Sequence, residues 1–387
     1  MRRFYNFAAI AVLNTLLLFM VVELISGGIV KIVVLPASKK VIARITGRPN
    51  DMIVYYQGLS YYAEQDWSPL YWKEFKLALK KTYSPYVIWR SIPFHGTLLN
   101  IDPSGYRHTP GAECGSDAYK VYVFGGSAIW GWGSPDESTI PALLQAGLKS
   151  KSGRPVCVMN YGENAYVSTQ GVIHLMLLLE SGDVPDVVIS YDGVNEVLAA
   201  SQSGKPIVHQ NMSEISELFE DHQATITSFL KSSNSYQLLQ MALSQLPISV
   251  KRQDPTLQYD PDLLSDQVAE AYLNNYEIVS SLADNYHFDF YFFWQPQILI
   301  GNKRLSSEEQ NMITGLNWVL NLDPPLVELF QKTYKKIESE TPTHEHLYYL
   351  GNIFGPVDES VWIDTWGHTT PKGNQIVAND LIRIMKH

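Results

Sequence analysis

The sequence is short of cysteine, of basic charge and of repetition. With two cysteines in 387 residues, Cys114 and Cys157, no disulfide scaffold carries the fold; the pair is compatible with one disulfide or with two free structural thiols. Lysine and arginine number 29 against 39 aspartates and glutamates, a net charge of -10, which excludes the basic face that nucleic-acid binding needs. No repeat or low-complexity tract is visible, so disorder is not the main state. There is no Walker-type loop and no dinucleotide fingerprint, so no cofactor is implied. Histidines cluster only as "HEH" at 344–346. Two residues two apart do not share a helical face, and no metal site is expected there.

What is abundant is apolar surface. Hydrophobic residues make up 45% of the chain, enough for one sizeable domain with insertions or two modest ones. The amino-terminal stretch "MRRFYNFAAIAVLNTLLLFMVVELISGG" is apolar from Phe4 to Ile25, interrupted by Asn6, Asn14 and Glu23. Its length suits a tilted membrane helix. It lacks a small-x-small cleavage site and is long for a signal-peptide core, which favours an uncleaved anchor. Arg2 and Arg3 before it compete with Lys31, Lys39, Lys40 and Arg44 after it. Large following domains translocate largely regardless of charge, so residues 1–28 are expected to be a cytoplasmic stub and single-pass anchor. The remainder is expected outside the cytoplasm, in the periplasm of a Gram-negative cell.

Residues 29–112 carry no clean domain signature but are rich in aromatics, as in "YYAEQDWSPLYWKEF". Such rings either line a carbohydrate groove or form a strap packed on the following domain. From Tyr119 the pattern turns regular: strand-like "KVYVF", helix-like "STIPALLQAGLKS", strand-like "PVCVMNYG", helix-like "TQGVIHLMLLLES" and strand-like "PDVVISYDGVNEV". This alternation predicts βαβ units and a parallel sheet over 113–387. A polar helical insertion at about 200–265, either a lid or a surface excursion, and a second at about 302–345 interrupt it.

Ligands of such sheets meet the carboxyl ends of the strands. The three strands end in Gly125-Gly126-Ser127, Asn160-Tyr161-Gly162 and Asp192-Gly193-Val194-Asn195. Glycines at 125 and 126 permit a sharp turn that projects Ser127 from the strand end. An acyl-transfer site needs a nucleophile and N–H donors where an oxyanion forms; Ser127, the backbone of Gly162 and the side-chain amide of Asn195 would converge there. A hydroxyl needs a base, and "VWIDTWGHTTPKGNQ" supplies Asp364 and His368 just before a helix whose start is marked by Thr370 and Pro371. Trp130, Trp132 and Trp366 sit beside these motifs, as pocket walls or as core.

Together, the serine of "FGGSA", the glycine of "NYGENAY", the asparagine of "YDGVNEV" and the acid and histidine of "DTWGH" make the chain resemble the SGNH hydrolases, also called GDSL-type esterases and lipases. The likeness covers Tyr119 to His387 apart from the insertions. It implies a three-layer α/β/α, flavodoxin-like domain and a serine esterase with Ser127 as nucleophile, His368 as base and Asp364 as acid. The implied oxyanion donors are Ser127, Gly162 and Asn195. The sequence departs from the family pattern in Gly-Gly-Ser for Gly-Asp-Ser, in Glu196 where aspartate is usual, and in spacing. Thr365 stands three before His368 and Asp364 four before, so a backbone carbonyl is the alternative partner of the imidazole. The expected substrate is an acylated small molecule or an O-acetylated envelope glycan. An acyltransferase using the same site and a non-catalytic envelope assembly or binding protein are the other readings; the sequence names no protein partner.

Overall fold

A computed structural model describes residues 2–29, 52–150, 153–220, 233–236, 259–314 and 324–386. These fall into two compact units: Met1–Asn50 with Ser213–Thr256, and Asp51–Met212 with Leu257–His387. The basic residues Lys31, Lys39, Lys40 and Arg44 lie outside the described residues, as do 221–232 and 237–258 of the first expected insertion and 315–323 of the second.

In the first unit, α1 (Arg2–Ile29) carries the apolar amino-terminal stretch. Leu13, Leu17, Leu18 and Leu24 are exposed. The charge that interrupts the stretch is held by local donors: the Glu23 carboxylate accepts from the backbone N–H groups of Asn234 (2.6 Å) and Ser235 (2.9 Å) and from the Ser235 hydroxyl. Among the described residues no helix is long and apolar enough to cross a membrane. Described side chains in α1 run without a break only over 17–27, so the anchor rests on the sequence.

The second unit opens with α2 (Met52–Gly58) and α3 (Ser68–Ala78). An antiparallel hairpin follows, β1 (Lys81–Ser84) with β2 (Ile88–Ser91), and then the short pair β3 (Phe94–His95) and β4 (Asn100–Ile101). The central sheet consists of β5 (Tyr119–Gly125), β6 (Val156–Asn160), β7 (Val187–Asp192), β8 (Asp289–Trp294) and β9 (Leu347–Tyr349). Its order is β6-β5-β7-β8-β9 and every pairing is parallel. Counted along the sheet's own strands this is the flavodoxin-like order 2-1-3-4-5.

Alternate side chains of the strands feed two separate cores, as a sheet buried on both faces requires. Val121, Val123, Val187, Ile189 and Phe293 enter one; Tyr122, Phe124, Val188, Phe290 and Phe292 enter the other. The first face is covered by α2, α3, α5 (Ile140–Gly147) and α10 (Pro371–Met385), through Tyr56, Phe75, Leu144 and Leu381. The second is covered by α6 (Ser168–Glu180), α7 (Val194–Ser203), α8 (Pro261–Tyr286) and α9 (Pro324–Glu340). The three-layer expectation holds, and α10 starts where Thr370 and Pro371 indicated, with the Thr370 hydroxyl accepting from Gly373 N–H.

The aromatic stretch of residues 61–75 does not line a groove. Tyr62, Tyr71, Trp72 and Phe75 are buried in the first core beside Ile129 and Trp130. Burying rings of this size removes a large apolar area from water, which a solvent-facing groove would forgo. Cys114 and Cys157 form a disulfide, their Cα atoms 5.1 Å apart, across 43 residues of chain. Arg107, buried in full, donates to Asp136 Oδ1 (2.6 Å) and to the carbonyl of Ser134 (2.9 Å) while its guanidinium lies 4.8 Å over Trp130. It thereby holds the loop that follows the Gly-Gly-Ser turn.

Candidate active site

β5 ends at Gly125 and α4 (Ser127–Trp130) begins two residues later. Space requires both glycines, and torsion also requires Gly125, whose φ is +157°. Gly126 has an ordinary φ of -83°, but a Cβ there would overlap the side-chain amide of Asn195, and one on Gly125 would lie 2.5 Å from the Tyr191 carbonyl oxygen. A side chain at either position would push Ser127 away from the end of β7. No side chain caps α4, which leaves the Ser127 hydroxyl available for another bond.

That bond goes to the histidine expected as base: Ser127 Oγ lies 2.6 Å from His368 Nε2. On the far side of the ring, His368 Nδ1 lies 2.6 Å from Asp364 Oδ2. Asp364 and His368 are 1% and 2% exposed. The four-residue interval is accommodated by the loop between them. Gly367 adopts φ +82°, a left-handed conformation that suits glycine, and Trp362 and Thr369 close the loop neck as an antiparallel bridge. Asp364 Oδ1 accepts the backbone N–H groups of Trp366 (2.8 Å) and His368 (3.3 Å), so the carboxylate aims Oδ2 at the ring. A carboxylate orients the imidazole, and the backbone carbonyl alternative falls away. Trp132 lies flat against His368, ring centroids 4.8 Å apart and 7° from parallel, and Trp366 meets both rings edge-on. Trp130, by contrast, is core.

The oxyanion donors separate on inspection. Asn195 stands in the first turn of α7, where its Nδ2 donates to the Tyr166 carbonyl (2.7 Å) and its Oδ1 accepts from Gln210 Nε2 (2.8 Å). With Oδ1 occupied, the amide is locked with its nitrogen toward Gly126 and its second N–H is left for an incoming oxygen. Ser127 N–H, at the first position of α4, is one of the donors a helix start leaves without an intrahelical partner. Gly162 is packed against the same turn, a Cβ there falling 2.5 Å from Trp130 N. Its N–H, however, donates to Asn160 Oδ1 at 3.0 Å, and Asn160 is itself held by the Ile129 carbonyl. Gly162 therefore packs against the turn that carries Ser127, but its donor is engaged, and it can serve an oxyanion only by sharing that hydrogen.

Glu196 replaces the expected aspartate with a longer reach: its carboxylate accepts from Gly193 N–H (2.8 Å) and from Ser168 N–H (2.5 Å), tying α7 to α6. Buried Asp192 lies beside it with Ser190 Oγ as its hydrogen-bond partner. Burial and then the Glu196 charge push the Asp192 carboxyl well above the usual range. Glu196, stabilised by two backbone donors, carries the charge of the pair. A folded-state pKa raised above the unfolded value near 3.9 means stability is present below that value and is lost as pH rises. Asp192→Asn is accordingly expected to gain about 1–3 kcal/mol at pH 8 and little at pH 4. Thermal melts at both pH values check this; a gain independent of pH would refute it.

Among the described residues no cluster of three or more metal-ligating side chains occurs, and His344 Nδ1 bonds the Glu340 carbonyl (2.9 Å). The residues that motif reading left without a role are Tyr56, Tyr166 and Gln210. Each meets a site residue from elsewhere in the chain; Tyr56 and Gln210 belong to no motif, and Tyr166 closes "NYGENAY" but reaches Asn195 through its backbone carbonyl, which a side-chain motif does not mark.

No family model matches the sequence, and no curated protein matches it. In three dimensions the chain is similar to a lipolytic protein of the G-D-S-L family from Veillonella parvula, at 10% identity over 69% of this chain and 98% of that one, TM-score 0.37. It is also similar to a psychrotrophic esterase from Pseudoalteromonas sp. inhibited by monoethylphosphonate (11%, 69% and 97%, TM-score 0.33). A third similar structure is a variant of an acetyl-xylooligosaccharide esterase from Geobacillus (14%, 68% and 93%, TM-score 0.33).

Proposed function

We propose that the protein is a serine esterase, anchored in a membrane by its amino-terminal helix, that removes O-acetyl or similarly short acyl groups from an envelope glycan outside the cytoplasm. The observation that carries the esterase reading is the continuous line Ser127 Oγ, His368 Nε2, His368 Nδ1, Asp364 Oδ2, each contact 2.6 Å, beside the Asn195 amide. In the first step Ser127 Oγ bonds to the ester carbonyl carbon as its proton passes to His368 Nε2. The oxyanion is stabilised by the N–H donors of Ser127 and Asn195. Collapse breaks the bond to the alcohol oxygen, which takes the proton from His368 and departs. Water then attacks the acyl-serine with His368 again accepting a proton, releasing the carboxylic acid and restoring Ser127.

Two observations support the place and the substrate. The Cys114–Cys157 disulfide fits an oxidising compartment. Tyr83 and Tyr86 of the β1–β2 hairpin stand 72% and 73% exposed. Trp89 of the same hairpin donates to the Asn164 carbonyl and accepts the Tyr166 hydroxyl at its own carbonyl, so the hairpin is fastened to the segment that holds Asn195. Exposed flat rings on a hairpin tied to that segment suit sugar faces. Outside Phe4–Ile25 the sequence has no long apolar run to form a lipase entrance.

The test is a chain-length series of 4-nitrophenyl esters run beside acetylated polysaccharide, with and without an added acyl acceptor. Turnover is expected to be highest for acetate and to fall by about tenfold or more at decanoate, a pocket limit of a few methylenes. Rates rising toward decanoate would overturn the short-acyl reading. Acyl groups appearing on the acceptor instead of in solution would make the protein a transferase.

A further inference from the structure

The proposed acid has a partner that the triad does not require. Tyr56, on α2, donates its hydroxyl to Asp364 Oδ2 at 2.7 Å, the same oxygen that faces His368 Nδ1. Tyr56 is fully buried, and its ring stacks on Trp72 with centroids 4.5 Å apart and planes 4° from parallel. Trp132 Nε1 donates to the Tyr56 oxygen at 3.2 Å, which leaves the tyrosine proton pointing at the carboxylate. The same indole lies against His368. Three hydrogen bonds and one ring stack therefore form a closed circuit: Trp132 to Tyr56, Tyr56 to Asp364, Asp364 to His368, and His368 back to Trp132.

We infer that Tyr56 is a positioning residue for the esterase reaction: its hydroxyl shares Asp364 Oδ2 with His368 and sets how strongly and in what direction that carboxylate pulls on the imidazole. The inference rests on the esterase reading given above. It also gives the segment before the sheet a role in the site, since α2 contributes a group that the parallel-sheet domain does not. Hydrogen bonding to an anion lowers its pull on a neighbouring cation. With the hydroxyl present, Asp364 holds the ring without trapping it as imidazolium.

The surroundings leave few other groups to account for a pH effect. Asp364 is faced by Tyr55, Tyr56 and Tyr62 from the helical segment and by His368 from its own loop; Glu308 acts on Tyr55 from further off. Burial, and then the Asp364 charge, push Tyr56 well above 10, and burial does the same for Tyr55 and Tyr62. All three phenols stay neutral donors through the working range.

Tyr56→Phe keeps the ring, the burial and the stack on Trp72 while removing the donor. In the detergent-solubilised full chain, kcat for 4-nitrophenyl acetate is expected to fall about tenfold to a hundredfold with KM nearly unchanged. The acid limb of the kcat/KM profile should move up by about half to one pH unit. The downfield proton resonance of His368 Nδ1–H should move further downfield as Oδ2 is released from its second donor. In an Asp364→Asn background the same change should cost at most about twofold, because the two groups act as one unit. A 3-fluorotyrosine at position 56, a better donor of nearly the same shape, should move the acid limb the opposite way, and it serves if the phenylalanine variant does not fold.

A merely structural tyrosine would lower the melting temperature but leave the acid limb and the resonance in place, and that result overturns the inference. If wild-type protein neither hydrolyses ester nor reacts with a fluorophosphonate, the esterase reading fails. The resonance then still decides whether Tyr56 governs the Asp364–His368 pair.

Discussion

Ser127→Ala is expected to fold normally and to lose ester turnover by on the order of 10⁴–10⁶-fold, with fluorophosphonate labelling abolished. The fold should survive because the hydroxyl caps no helix and, among the described residues, its hydrogen-bond partner is His368. The His368–Asp364 contact and the loop bridge between Trp362 and Thr369 do not involve it. The activity should not survive, because no other described hydroxyl occupies the end of the line to His368. Mass spectrometry of the labelled wild-type protein should place the adduct on Ser127. Labelling that persists in the alanine variant would remove Ser127 as nucleophile.

His368→Ala is expected to lower turnover more than Asp364→Ala, by roughly one to two further orders of magnitude. Deleting the ring removes the group that, among the described residues, is positioned to take the Ser127 proton. Deleting the carboxylate leaves the ring in place against Trp132, still able to accept a proton but with its tautomer and orientation less restrained. Asp364→Ala carries a second cost, because it strands the buried Tyr56 hydroxyl and the Trp366 N–H that the carboxylate accepts. Asp364→Asn is the cleaner comparison for folding: it keeps the size and, with its amide oxygen at the Oδ1 position, still accepts from Trp366 N–H, although the Tyr56 hydroxyl loses its acceptor at Oδ2. Its amide can present an N–H to Nδ1 and so favour the wrong tautomer. Steady-state kinetics with 4-nitrophenyl acetate, paired with melting curves, separate the two costs. Wild-type turnover in both Asp364 variants would show that another group orients the base.

Part of this protein is determined by neighbours in sequence and can be read there. A buried parallel strand needs a run of β-branched and aromatic residues, and "KVYVF" and "DVVISYD" are such runs. The turn after β5 needs small residues, so Gly125 and Gly126 mark Ser127. Asp364 and His368 stand four apart in one loop, so one segment brings them together, and Gly367 with its left-handed φ is visible between them. The chemistry of the proposed triad was legible because each of its members ends or follows a local element.

The rest depended on which distant segments meet, and tertiary structure alone decided it. Tyr56 and Asp364 are 308 residues apart, and nothing local to α2 distinguishes a tyrosine that reaches a carboxylate from one that fills a core. The rings of residues 61–75 read equally as groove or packing until their neighbours, Ile129 and Trp130, were in place. Cys114 and Cys157 were compatible with a bond or with free thiols until the Cα atoms stood 5.1 Å apart. Gly162 packs against the turn that carries Ser127, yet its N–H is taken by Asn160, a competition between hydrogen-bond acceptors that a motif does not encode. Local pattern determines what each segment can form, because torsion and burial period act over a few residues. Pairing between segments is decided by burial and hydrogen-bond satisfaction summed over the whole core.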